Sequence, residues 1–202
     1  MRGFFALLGV LLCCGLSACG HSRQVTRVEV GMQKDLSGRW NDTDARLTAE
    51  ALIPDCFASA WLTDFVQEKG RKPAVRVRGV TNKTDEHIDA QIFIKTIERA
   101  MVNSARVKVL AQEGAETGSM DEEQVRAASG RQADNTPVSM GQEKGADFVV
   151  AVRMATIVDQ IDNERVKFYK INFELISPTT GEKVWIGDHE IKKVVTQRGA
   201  NW

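Results

Sequence analysis

The chain has 202 residues, 43% of them hydrophobic, which is enough for one domain with length to spare and too apolar for a wholly disordered chain. Lys plus Arg and Asp plus Glu number 27 each. A formally neutral chain has no overall field to hold a polyanion, which argues against nucleic acid as a partner.

At the start, Arg2 precedes an apolar run from Phe4 to Leu16, and the small residues Ser17 and Ala18 follow it. This is the plan of an export signal, and at about 13 residues the run is shorter than the ~20 a helix needs to cross a bilayer. Leu16-Ser17-Ala18-Cys19 resembles the lipobox of bacterial lipoproteins. The resemblance implies cleavage between Ala18 and Cys19, a diacylglyceryl thioether on Cys19, and, with Gly20 following in place of Asp, display on the periplasmic face of the outer membrane. Acyl chains would then hold the protein to the membrane at ~0.8 kcal/mol per buried methylene. Cys13 and Cys14 leave with the signal, so Cys56 stands alone in the mature chain and no internal disulfide is expected. With no CxxC and no nearby His, Cys56 reads as a small buried hydrophobe.

Residues 20–42 are polar, aperiodic and poor in proline, as suits a short tether. A helix is expected from Asp42 or Thr43, with Leu47, Ala51, Ala58, Trp61, Leu62 and Phe65 on its apolar stripe, a kink or split at Pro54, and a stop at Lys69-Gly70. Residues 74–80 alternate as a strand, and 82–85 read as a loop. A helix over about 87–103 carries Ala90, Phe93, Ile94, Ile97, Ala100 and Met101 on one face, and a second strand runs from Arg106 to Leu110. Strand, helix and strand in this order predict a parallel pair with a crossover helix.

Ser119 and Glu122 make a capping box for a polar helix over about 120–130, with Asp121-Glu122-Glu123 as its acidic first turn. Thr136-Pro137 opens a short helix to Gly145. The near-continuous apolar run from Phe148 to Val158 reads as a central strand. Turns at 162–164 and 178–181 separate it from strands over 166–176 and 183–195, the last with Val184 and Ile186 on one face. Together these form an antiparallel meander. The expected fold class is α/β, a mixed sheet with helices. The expected organisation is a signal peptide over 1–18, a lipidated N-terminus and short tether over 19–42, a globular domain over 43–196 and a tail over 197–202.

No catalytic, metal or cofactor-binding group is expected. His21, His87 and His189 are far apart and sit at no metal-ligand spacing. The phosphate-loop, nucleophile-elbow, zinc-protease and dinucleotide-binding motifs do not occur. Arg76 and Arg78 share one face of the first strand and read either as a solvated edge or as part of a partner-binding face, since paired arginines suit carboxylates. Tyr169, Phe168 and Trp185 read either as core or as an exposed aromatic patch.

Several segments taken together resemble the LpoB family of penicillin-binding protein activators. They are 36–44 (Leu-Ser-Gly-Arg-Trp-Asn-Asp-Thr-Asp), Gly70-Arg71-Lys72-Pro73, Asn82-Lys83 with Glu86-His87-Ile88, and 181–187 (Gly-Glu-Lys-Val-Trp-Ile-Gly). The resemblance runs from about residue 36 to 195. It implies a fold like the TolB N-terminal domain and a non-enzymatic lipoprotein that docks onto a class A penicillin-binding protein and stimulates glycan polymerisation and cross-linking. About 17 residues separate Cys19 from Leu36, ~60 Å when stretched. So short a tether also fits a structural or secretion-associated envelope module that binds close to its own membrane.

Overall fold

The computed structural model describes residues 26–29, 31–32, 35–112, 115–129 and 144–196. The chain divides into two units, Met1–Met32 and Gln33–Trp202. In the first, the Met32 N–H donates to the Glu29 carbonyl at 3.0 Å. The elements below belong to the second.

Helix α1 (Asp42–Ala58) starts from Asn41. The Asn41 side chain accepts from the Asp44 N–H (3.1 Å) and Asp44 accepts from the Asn41 N–H (2.9 Å), so two orphan donors are satisfied reciprocally. Pro54 lies inside this helix and does not split it. Its missing N–H would have paired with Glu50, and both residues face solvent, where water satisfies the freed carbonyl. The break falls at Ser59 (ψ 155°), before α2 (Ala60–Lys69). There the indole N–H of buried Trp61 donates to the Cys56 carbonyl at 2.7 Å, filling the acceptor an uninterrupted helix would have used. The break also resets the helical phase. Leu47, Ala51 and Ala58 therefore turn outward, and Ala45, Leu52, Ile53, Cys56 and Phe57 form the buried face. Gly70 ends α2 in the left-handed conformation, φ 64°. Burial pushes the Cys56 thiol up to about 12, so it stays neutral and inert.

Strand β1 (Ala74–Lys83) leads into α3 (Ala90–Asn103), which is capped by Asp89 accepting from the Gln91 N–H at 2.9 Å. The chain returns to β2, only Lys108–Val109. It then passes through α4 (Ala115–Ala128) to β3 (Phe148–Ile161), β4 (Glu164–Ile176) and β5 (Lys183–Thr196). The sheet order is β2-β1-β3-β4-β5. β1 is parallel to both β2 and β3, and β3, β4 and β5 form the antiparallel meander. The expected α/β class, the crossover pair and the central place of β3 are all present.

Several expected bounds move for local reasons. β1 runs on to Lys83 because a bulge at Arg78 and Gly79 (φ 151°) shifts its phase and lets it keep pairing with β3. The helix expected from 87 starts at Ala90, where Asp89 caps it. β2 is short because the chain turns at Ala105 (φ 54°) and meets β1 only at Ala74 and Val75. α4 begins at Ala115, so Ser119 is inside it and Asp121-Glu122-Glu123 lie mid-helix. That corrects both the capping box and the acidic first turn, since Ala and Glu propagate a helix back past Ser119. Most of the short helix expected from Thr136 lies outside the described residues.

α1 and α3 cover one face of the sheet. Val75, Val77, Val150, Val152, Met154, Tyr169, Ile171, Phe173 and Leu175 point into that core with Phe93, Ile94, Ile97 and Met101 of α3. Rings bridge the layers: Trp61 packs edge-on against Phe148 at 5.1 Å, and Trp40 against Phe93 at 5.4 Å. Tyr169 and Trp185 lie on the covered face while Phe168 alternates to the open one, so the three form no single patch. Val184 is an extra residue between the Ile176–Lys183 and Leu175–Trp185 pairs. It packs on the core while Ile186 is 56% exposed, so the two do not share a face.

At Gly187 the Trp185 ring lies where a Cβ would be, and Leu52 of α1 stands 3.2 Å from that position. Gly187→Ala is therefore expected to displace the ring and cost about 1–3 kcal/mol, as overpacking does. Urea unfolding of the variant measures this, and an unchanged midpoint would show that the ring has room to move.

Candidate functional site

Two polar constellations stand out from the apolar core. The first joins the segment 35–41 to the far ends of β4 and β5. Lys193 points inward from β5 and donates to Asp35 (2.8 Å), to the Arg39 carbonyl (3.0 Å) and to Asp44 (2.6 Å). Its side chain is 9% exposed. Burial works against the ammonium, but the hydrogen bonds to Asp35 and Asp44 outweigh it and raise the Lys193 pKa.

One step along the sheet, Lys167 of β4 bonds Glu86 and lies 2.9 Å from Asp85. Glu86 also accepts from the Tyr169 hydroxyl (2.7 Å) and the Trp40 N–H (2.9 Å). The Tyr169 hydroxyl lies 2.8 Å from the Gly38 carbonyl as well. Burial alone would raise the Glu86 pKa, yet Lys167, Tyr169 and the Trp40 amide outweigh it and hold it low. Asp85 is held low first by its bond to Lys167. Leu36, Gly38, Asp85, Glu86, Arg165 and Lys167 line a cavity of about 430 Å³ beside this network. Its carboxylates and amines are mutually neutralised, which makes the constellation a latch that fastens the segment 35–41 to the sheet.

The second constellation lies across the sheet. Arg76 of β1 stands opposite Val149 of β3, and Arg78 is the unpaired residue of the bulge between Val77 and Gly79. Both guanidinium-bearing side chains line one cleft of about 480 Å³, together with Val77, Gln91, Gln112 and Val149. Arg78 is exposed and Arg76 half-buried. Gln112 donates to the Val77 carbonyl at 2.8 Å, one step beyond the end of β2. Nearby, Arg71 makes a two-pronged pair with Asp147 (2.7 and 2.8 Å), which holds the Asp147 carboxyl below its usual range.

A model of the peptidoglycan-synthase activator LpoB family matches residues 44–191. The chain belongs to this family. Among solved structures, it is 15% identical to the LpoB C-terminal domain from Salmonella enterica, covering 74% of this chain and 99% of that one with a TM-score of 0.39. It is 15% identical to Escherichia coli LpoB, covering 88% and 86% with a TM-score of 0.41, and 14% identical to lipoprotein GNA1162 from Neisseria meningitidis, covering 64% and 87% with a TM-score of 0.40. Comparison with curated proteins gives no match.

The segments that carry the LpoB resemblance meet in the structure as holding elements. Gly38, Trp40, Asn41 and Asp44 converge with Glu86 at the latch, where Asn82 also donates to the Glu86 carbonyl at 2.8 Å. Gly70 and Arg71 close α2 onto Asp147, and Gly187 makes space for Trp185. Of the site residues expected from sequence, Arg76 and Arg78 are brought together in the cleft, while Ala18 and Cys19 lie outside the described residues. Sequence reasoning missed the inward lysines. A signal was there: Lys167 is in phase with Tyr169, Ile171, Phe173 and Leu175, a charged residue on the apolar face of its strand.

Proposed function

We propose that this chain is a lipid-anchored envelope protein that binds a class A penicillin-binding protein and stimulates its glycan polymerisation and cross-linking. The observation that carries this reading is the LpoB family match, which runs from the first turn of α1 into β5. The proposed organisation has a signal over 1–18, cleavage between Ala18 and Cys19, a lipidated tether over 19–42, a body over 43–196 and a tail over 197–202, with the body held at the periplasmic face of the outer membrane. A module of this kind is not itself an enzyme. It raises the rate by binding the active conformation of the synthase more tightly than the inactive one.

The test adds the full chain, in detergent, to the bifunctional synthase of the same bacterium and measures glycan-strand synthesis. A rise in rate that saturates with added protein is expected. No binding and no change in rate would remove the reading.

A second reading draws on the tether. The latch begins at Asp35, so about 16 residues separate it from Cys19 and reach ~55 Å at most. Such a reach favours partners in the same membrane, as for a structural or secretion-associated module. Cross-linking in intact cells separates the two readings: recovery of outer-membrane proteins alone favours the second, and recovery of the synthase favours the first.

A further inference from the structure

The chain is neutral overall, but the fold sorts its charge. Residues 69–84 contain Lys69, Arg71, Lys72, Arg76, Arg78 and Lys83 and no Asp or Glu, and residues 105–112 contain Arg106 and Lys108 and no Asp or Glu. These two stretches build the β1–β2 edge of the sheet. Part of this charge is committed: Arg71 pairs with Asp147, Lys69 with Glu68, and Lys72 donates to the Ala105 carbonyl. Arg78, Lys83 and Lys108 are exposed along the edge; Arg76 is half-buried beside them and makes an interaction of its own.

The same edge is short of strand. Among the described residues, β2 pairs only with Ala74 and Val75 of β1. The Leu110 N–H reaches the Val75 carbonyl at 2.9 Å, and the Gln112 side chain reaches that of Val77. From Gly79 to Lys83, β1 pairs with β3 on its inner side, and no described strand lies on its outer side. The cleft holding Arg76 and Arg78 straddles this edge, with Val149 on the open face of the sheet and Gln91 on α3. The opposite edge differs in both respects. β5 carries charges of mixed sign, Lys183, Asp188, Glu190, Lys192 and Lys193, and the segment entering from the N-terminus is fastened to it through Lys193. The body is thus fastened at one edge of the sheet and presents the outer side of β1 at the other, three strand spacings or ~14 Å away.

We propose that the outer edge of β1, from Arg76 to Lys83, is the docking surface, and that it takes an extended acidic segment of the synthase as an added strand. Backbone pairing along residues 79–83 supplies the hydrogen bonds, as in other strand-addition complexes. Arg76, Arg78 and Lys83 select carboxylates on that segment, Arg in particular because its fork matches a carboxylate in two places.

This inference rests on the reading that the partner is a synthase, and one set of measurements separates the two. The full chain in detergent is titrated with the purified synthase, and amide hydrogen exchange is followed in the complex. Slowed exchange over residues 79–83 is expected. Arg78→Glu combined with Lys83→Glu, both at exposed positions, should raise the dissociation constant on the order of 10- to 100-fold. Arg76→Gln should weaken binding without reversing charge, and Lys192→Glu on β5 should change the affinity less than about twofold. Unchanged affinity in the double variant overturns the inference and leaves the synthase reading standing, as does lost affinity without slowed exchange over 79–83. A wild-type chain that does not bind the synthase at all removes both.

Discussion

Lys167→Met is expected to destabilise the folded body by about 3–5 kcal/mol at neutral pH, the usual cost of stranding a buried charge by deleting its partner. The side chains of Lys167 and Glu86 are only 5% and 9% exposed, so water entering from the adjoining cavity replaces the lost ammonium only in part. Methionine fills most of the lysine stem, which leaves the charge as the main change. The pH dependence carries a signature of its own. In the wild type, Asp85 and Glu86 titrate below their ordinary values, so the unfolded chain binds more protons through the acid range. Their contribution is complete above the ordinary carboxylate values and is lost as pH falls through the depressed ones. Once Lys167 is gone, its hydrogen bond and charge no longer lower Glu86, so the Glu86 pKa rises from its wild-type position while Tyr169 and the Trp40 N–H go on lowering it. The gap between the two proteins should therefore narrow as pH falls through the carboxylate range, because the wild type loses there a contribution that the variant largely lacks. Urea unfolding of both proteins between pH 4 and 8 measures the effect. A loss under about 1 kcal/mol, with parallel pH profiles, would mean that the latch does not hold the fold.

Cys19→Ser, exported behind a signal cut by the ordinary secretory peptidase, is expected to move the protein from the membrane pellet to the soluble periplasmic fraction. Two acyl chains at ~0.8 kcal/mol per buried methylene hold a protein to a bilayer for longer than any fractionation lasts, and without them no described helix is long and apolar enough to span one. The body should keep its unfolding midpoint, because position 19 takes no part in the latch, whose first residue is Asp35. In detergent, stimulation of the synthase should persist. In cells it should fall, because the anchor sets the local concentration. A Cys19→Ser protein that still sediments with membranes would remove the anchoring reading and leave the fold and the family unaffected.

The architecture was largely legible wherever one period dominated. The stripe of Phe93, Ile94, Ile97 and Met101, and the alternation of Ile171, Phe173 and Leu175, each report a surface pressed on a single core, and the strand–helix–strand order requires the parallel crossover. Tertiary partners defeated the rest. The split after α1 depends on Trp61 reaching the Cys56 carbonyl, while Pro54, the local suspect, sits harmlessly on the wet side. The length of β1 depends on β3 running beside it past a bulge that interrupts the sequence alternation.

The candidate site was half visible. Arg76 and Arg78 announced themselves by spacing, but their surroundings did not, because the basic residues of 69–84 and 105–112 become one edge only after β2 lies down beside β1. The latch was invisible as a unit, since Glu86, Lys167 and Lys193 are far apart in the chain and only inward register brings them to residues 35–44.

The position of that fastening also decides how the body would bear a mechanical load. Tension along the N-terminal segment enters at Asp35 and passes through Lys193 into β5, whose ladder with β4 extends from Glu164–Thr196 to Ile176–Lys183. A pull along the strand loads those backbone bonds in shear, many at once, whereas a pull across it would open them one after another. A load carried this way leaves the β1 edge, three strands further across the sheet, undistorted.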